Sequence, residues 1–246
     1  MITVAHALTL VLPALAAPAA HANIVYIRPN TTPRTSLVVC YPMGNGGTSQ
    51  AHQVRPALLL SKLHLGLWVS RHGAEHHKAQ VDHLIRVSDE RIVAELDRAY
   101  PHAIDEIARD YGLLGTGRNG FWGNVTTRAY DAARFVSLIR HDPSAPPVIQ
   151  GMKDAAWVAA DGTTQNYGTA TLDTAQGTKF GWSDDKTSAM ATVTLGPGWV
   201  AASMTYGDAP ARTHDVQPGM RVERLSIPAE PGATAPPASP RQAPTQ

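Results

Sequence analysis

Pro56-Ala57-Leu58-Leu59-Leu60-Ser61-Lys62-Leu63-His64-Leu65-Gly66-Leu67-Trp68-Val69 is apolar nearly all round a helical projection. A helix without a polar face is buried on every side, so this segment is the expected core helix. Before it stand two strand-like runs, Ile24 to Arg28 and Thr35 to Tyr41, joined by the turn-rich Pro29-Asn30-Thr31-Thr32-Pro33, a pattern that predicts a hairpin. A loop rich in Gly44, Gly46 and Gly47 leads on to Pro56. Helix signals then recur over 74–86, 88–99, 101–111 and 126–140, with Pro101 at a start and Gly112 at a stop. Past Pro143 and a mixed segment, Gly177 to Trp182, Ala189 to Leu195 and Trp199 to Tyr206 read as an antiparallel meander, the last two split by Gly196-Pro197-Gly198. Strands, helices, then strands predict an α+β domain whose N- and C-terminal strands share one antiparallel sheet around a helical lobe. Neither strand set buries its apolar face alone, so 24–41 and 177–206 are expected in that one sheet.

Both ends of the sequence differ from this middle. Residues 1–22 hold no Lys, Arg, Asp or Glu and run through the apolar stretch Ala7 to Ala20 into Ala20-His21-Ala22. That pattern reads as a signal peptide cleaved before Asn23, and it is too alanine-rich for a membrane span. From about Ala229 the composition falls to Pro, Ala, Gly, Gln and Thr, which predicts a disordered tail over 229–246 and leaves 23–228 as the folded domain. A net charge of +1 over 246 residues gives no basis for gripping nucleic acid or an anionic membrane. The lone Cys40, within Leu37-Val38-Val39-Cys40-Tyr41, reads as a small buried residue.

Four short elements carry the chemistry. Pro56 to Lys62 enters the core helix with a lysine one turn in, and Leu84-Ile85-Arg86-Val87-Ser88-Asp89-Glu90 ends one helix and begins another. Val125-Thr126-Thr127-Arg128-Ala129-Tyr130-Asp131 looks like a helix start capped by Thr126 or Thr127, and Gly177-Thr178-Lys179-Phe180-Gly181-Trp182 opens the strand-rich end. In order and setting, over about Ser36 to Gly207, these elements resemble the S-x-x-K, S-D-N and K-T-G motifs of the serine β-lactamases and penicillin-binding peptidases. The resemblance implies that fold, with Lys62, Ser88 and Lys179 around one cleft. It also exposes departures: Leu59 stands at the nucleophile position, Glu90 replaces the usual asparagine after Ser88-Asp89, and Phe180 replaces the hydroxyl residue between Lys179 and Gly181. By the same matching, no glutamate between Glu106 and the end of the Thr126 helix suits the deacylating base of a class A β-lactamase.

Leucine has no nucleophilic atom, and Ser61, two residues beyond Leu59, points about 200° around the helix from it. The expected product is thus an exported pseudoenzyme of the cell envelope that binds peptidoglycan peptide or a protein partner, or serves structurally. The alternative is a serine hydrolase of the DD-peptidase or esterase type acting through Ser88 or Ser61. A lysine buried beside leucine requires a counter-charge, so a Lys62–Glu90 ion pair is expected, with Ser88 as a further partner and Lys179 nearby. Ser88-Asp89 equally suits a helix cap. His72, His76, His77 and His83 around Glu75 include an i, i+4 pair, but Gly73 breaks the segment and no third ligand is evident. Neither metal nor cofactor is expected.

Overall fold

The computed structural model describes residues 20–28 and 31–227. The leader reading lies outside them except for Ala20–Ala22, the first residues of a strand, and the tail reading at 229–246 lies outside them entirely. In chain order come β1 (Ala20–Ile27), β2 (Thr35–Tyr41), β3 (Gly44–Gly47) and β4 (Arg55–Pro56). Then a 3-10 turn (Leu58–Leu60) leads into α1 (Ser61–His72), α2 (Glu75–Lys78), α3 (Val81–Val87), α4 (Glu90–Ala99) and α5 (Ala103–Asp110). β5 (Gly117–Asn119) and β6 (Phe121–Thr127) precede α6 (Ala129–Ile139) and α7 (Pro146–Lys153). A second 3-10 turn (Gly168–Thr171) is followed by β7 (Gly177–Trp182), β8 (Ala189–Gly196), β9 (Trp199–Tyr206), α8 (Ala209–Gly219) and β10 (Met220–Ile227).

The core helix is where its sequence put it. Ser61 through Val69 of α1 are all buried, and α1 packs against α3, α4, α5 and α7. A five-stranded antiparallel sheet runs β3-β2-β9-β8-β7, so an N-terminal strand does join the C-terminal meander, as expected. α6 lies against β2, β8 and β9, while α8 also meets β2 and β9. With helices against it in this way, β8 is buried along its whole length. Its hydroxyls find one another: Thr169 Oγ1 meets both Thr192 and Thr194, and Arg212 of α8 donates to Thr192.

The expected hairpin between 24–28 and 35–41 does not form. Both edges of β2 are taken, by β3 and β9, and β1 pairs instead with β10. β1 stays near β2 by another route, because Tyr41 Oη accepts from Val25 N–H at 2.7 Å and donates to Val25 C=O at 2.6 Å. Val25 thereby shares a small apolar cluster with Leu37, Val39 and Trp199. The helix expected over 126–140 also begins later. Thr126 and Thr127 extend β6, where β-branched residues fit, and Arg128 is the residue before the first turn of α6. The glycine-rich loop at 44–47 forms the short edge strand β3, and α7, α8 and β10 lie where no helix or strand was expected.

Candidate active site

The 3-10 turn before α1 sets Leu58 at φ 54°, a left-handed conformation rare for a branched residue. The turn is pressed against β7: a Cβ on Gly181 would come within 3.0 Å of Leu59 N and 3.2 Å of Leu58 Cβ. Glycine at 181 suits this approach, since any side chain would force the helix start back by a few tenths of an ångström. Leu59, at the nucleophile position, is 4% exposed and packs in a cluster with Tyr167, Phe180, Trp182 and Met190. Ser61 is equally buried, and its hydroxyl donates to the Leu58 carbonyl at 2.9 Å, a bond local to the helix start.

One turn beyond Leu59, Lys62 is fully buried, as is Lys179 of β7. Both reach the C-terminal end of α3. Lys62 Nζ donates to the Ser88 carbonyl at 2.6 Å; Lys179 Nζ donates to the Ile85 carbonyl at 3.3 Å and meets Ser88 Oγ. The last carbonyls of a helix have no partner within it and carry partial negative charge, which suits them as acceptors for two lysine Nζ donors. Ser88 is the C-cap of α3 at φ 56°, 2% exposed, and its Oγ also donates to Gln165 Oε1 at 3.3 Å. Gln165 is held in turn by the Arg86 and Ala156 carbonyls at 3.1 and 2.7 Å.

The expected Lys62–Glu90 ion pair is absent from the ion pairs of the described residues; Glu90 is exposed and Lys62 meets neutral oxygen. Helix geometry gives the reason. Asp89 is the N-cap of α4, accepting from the N–H groups of Arg91 and Ile92 at 2.8 and 3.3 Å, which puts Glu90 at an outward first helical position. Ser88 does partner Lys62, through its carbonyl, and Lys179 does share the pocket. Burial pushes the Lys62 ammonium down to about 7, with Glu90, Asp89 and Asp161 opposing at longer range. Burial, and then the charge of Lys62, hold Lys179 well below its ordinary value.

Trp122 roofs Lys62, its ring centroid 5.2 Å from Nζ. Nothing in the motifs pointed to it; the only signal was the Phe121-Trp122 pair between Gly120 and Gly123. Its position follows from Asp97 of α4, which accepts from Arg118 at 2.7 and 2.9 Å and from Trp122 N–H at 3.3 Å. Asp97→Ala is expected to destabilise the fold by about 2–4 kcal/mol, by stranding a largely buried guanidinium. Denaturant unfolding followed by tryptophan fluorescence checks it, and a cost under about 1 kcal/mol would show that the roof is held some other way.

Above this sealed centre lies a groove of about 560 Å³, lined by Leu58, Leu59, Glu90, Trp122, Trp182 and Asp184 among others; neither lysine nor Ser88 reaches it. A larger hollow of about 820 Å³, between Lys78 and Pro147, is lined by none of the motif residues. Of the histidines, His76 and His77 pack ring to ring, centroids 4.0 Å apart. His77 meets Tyr100 Oη at 2.7 Å and Glu95 at 3.2 Å, His72 leans on Trp68, and among the described residues no three metal-ligating side chains converge. Cys40 is buried as expected, and burial pushes its thiol up to about 11.

No family model and no curated protein sequence matches the chain. Solved structures do. A halotolerant bacterial β-lactamase is similar at TM-score 0.58 and 13% identity, covering 76% of this chain and 92% of its own. The β-lactamase from Streptomyces albus G gives 0.57 and 17%, covering 72% and 87%. Penicillin-binding protein D2 from Listeria monocytogenes, solved in its cefotaxime-bound form, gives 0.57 and 16%, covering 78% and 97%. With sheet, helical lobe and three converging motif positions in place, the chain has the α+β fold shared by serine β-lactamases and penicillin-binding proteins.

Proposed function

We propose that the chain is an exported pseudoenzyme of this fold, a cell-envelope protein that does not form acyl adducts and that binds peptidoglycan stem peptide or a protein partner through the old cleft. One observation carries the reading. At the position of the nucleophile, Leu59 sits in an apolar cluster and lines the open groove, whose lining includes none of the buried Lys62, Lys179 and Ser88. The serine hydroxyls that do line the groove, Ser183 and Ser188, donate to Asp185 and not to either motif lysine, and nucleophilic catalysis needs nucleophile and base within hydrogen-bond reach of each other and of the substrate. Incubation of the full chain with a fluorescent penicillin, and separately with a fluorophosphonate, is expected to leave its intact mass unchanged. Stoichiometric adduct formation overturns the proposal.

A second reading, a serine hydrolase of the DD-peptidase or esterase type acting through Ser88, is favoured by the lysine chemistry. Lys179 Nζ contacts Ser88 Oγ, and Lys62, drawn to about 7, lies near the value that suits a general base. Against it stands the 2% exposure of Ser88. An adduct mapped to Ser88, and lost in Ser88→Ala, would establish this alternative.

A further inference from the structure

The groove above the sealed lysines is walled by aromatic rings and carries charge of one sign. Among the described residues its lining includes Trp122 and Trp182, Tyr206, whose ring already carries the Arg55 guanidinium at 4.7 Å, two carboxylates, Glu90 and Asp184, and no lysine or arginine. The carboxylates come from different parts of the fold, Glu90 from the first turn of α4 and Asp184 from the turn joining β7 to β8. Among the described residues neither has a hydrogen-bonding side-chain partner or an ion pair, and in each case the cation next along the chain is engaged elsewhere. Arg91 turns to Asp89, its Nη2 3.2 Å from Oδ2, and Lys186 turns to Asp161 at 3.2 Å. The turn that presents Asp184 is braced from within, because Asp185 accepts from Ser183 Oγ and from the N–H groups of Thr187 and Ser188 at 2.6, 2.9 and 2.9 Å. The two buried lysines that could supply positive charge from below do not line the groove.

We infer that the groove is a site for an organic cation, an ammonium or guanidinium on an apolar frame, held by Glu90 and Asp184 against the aromatic walls. This rests on the reading of the old cleft as a binding site and adds the sign of its ligand. Unpaired carboxylates favour a cation by direct Coulomb attraction, and aromatic faces favour it through the ring quadrupole. An anion of the same shape meets repulsion from both carboxylates. A volume of about 560 Å³ is in the range of small-molecule sites.

The test is calorimetric titration of the full chain with three probes of one shape, namely phenethylamine, neutral 3-phenylpropanamide and anionic 3-phenylpropionate. The amine is expected to bind saturably, about tenfold or more tighter than the amide, with affinity falling as NaCl is raised. The double variant Glu90→Gln, Asp184→Asn is expected to lose that preference, and because both side chains are exposed its thermal midpoint should match the parent's. Preference for the propionate or the amide, or an amine affinity unchanged in the double variant, overturns the inference while leaving the cleft a binding site. Failure of all three probes to bind at millimolar concentration overturns both. Acylation at Ser88 with amine binding retained would remove the pseudoenzyme reading alone.

Discussion

Lys62→Met is expected to make the protein more stable at pH 6, by about 2–4 kcal/mol, and to reduce the rise of its stability between about pH 7 and pH 10.5, the remainder coming from buried Lys179. Lys62 is fully buried, with a neutral carbonyl as its hydrogen-bond acceptor and, among the described residues, no carboxylate in salt-bridge range. Its value falls from an ordinary 10.5 to about 7 through burial, which corresponds to roughly 4–5 kcal/mol of preference for the neutral form. A folded value below the unfolded one means that, between the two, the unfolded chain binds more protons, so stability rises with pH. Lys62 therefore costs nothing above about pH 10.5, costs progressively more as pH falls towards 7, and below that imposes its full penalty. Methionine, similar in volume, removes the penalty and forfeits one hydrogen bond of about 1–1.5 kcal/mol. Urea unfolding of parent and variant at pH 6, 8 and 10 measures the difference. A variant less stable than the parent at pH 6 would mean that a counter-charge does reach the lysine.

That result would also mark where sequence reasoning ran short. The apolar run from Pro56 to Val69 dictated a buried helix because no rotation of it offers a polar face, and β7, β8 and β9 were legible from their β-branched runs and glycine turns. The order of Lys62, Ser88 and Lys179 along those elements brought them together, and the structure does place all three at the end of α3. Pairings made at long range were not legible. β1 looked like half of a local hairpin, but which edges of β2 stay free depends on β9, more than 150 residues further on. α8 contains Pro218 and few apolar residues, so its packing on the sheet gave no periodic signal. The Lys62–Glu90 pair fails for a local reason, since charge balance alone does not say where the residue following an N-cap points. Asp89 fixes that direction, and the neutral carbonyls of α3 take the role assigned to the carboxylate.

Leu59→Ser, which restores a hydroxyl one turn before Lys62, is expected to destabilise the fold by about 3–5 kcal/mol and still to form no adduct with penicillin. The energetic half follows from packing. Leu59 is 4% exposed among Tyr167, Phe180, Trp182 and Met190, and truncating a buried leucine costs about 2–5 kcal/mol before any penalty for placing a hydroxyl in that apolar cluster. The chemical half follows from the neighbours. Lys62 Nζ is already committed to the Ser88 carbonyl, Phe180 still fills the place after Lys179, and Trp122 still roofs the lysine. A nucleophile acts only when its base, its substrate and its oxyanion donors are aligned together, and one substitution supplies the first atom alone. The triple variant Leu59→Ser, Phe180→Thr, Glu90→Asn tests whether the remaining scaffold is competent. A penicillin adduct in the triple variant, read by intact mass, would show the scaffold competent, whereas its absence would show that the Lys62–Ser88 bond and the Trp122 roof also bar the chemistry. Acylation of Leu59→Ser alone would mean that the lysines below the cleft are more accessible than their full burial indicates, and that only the missing hydroxyl keeps the protein from reacting.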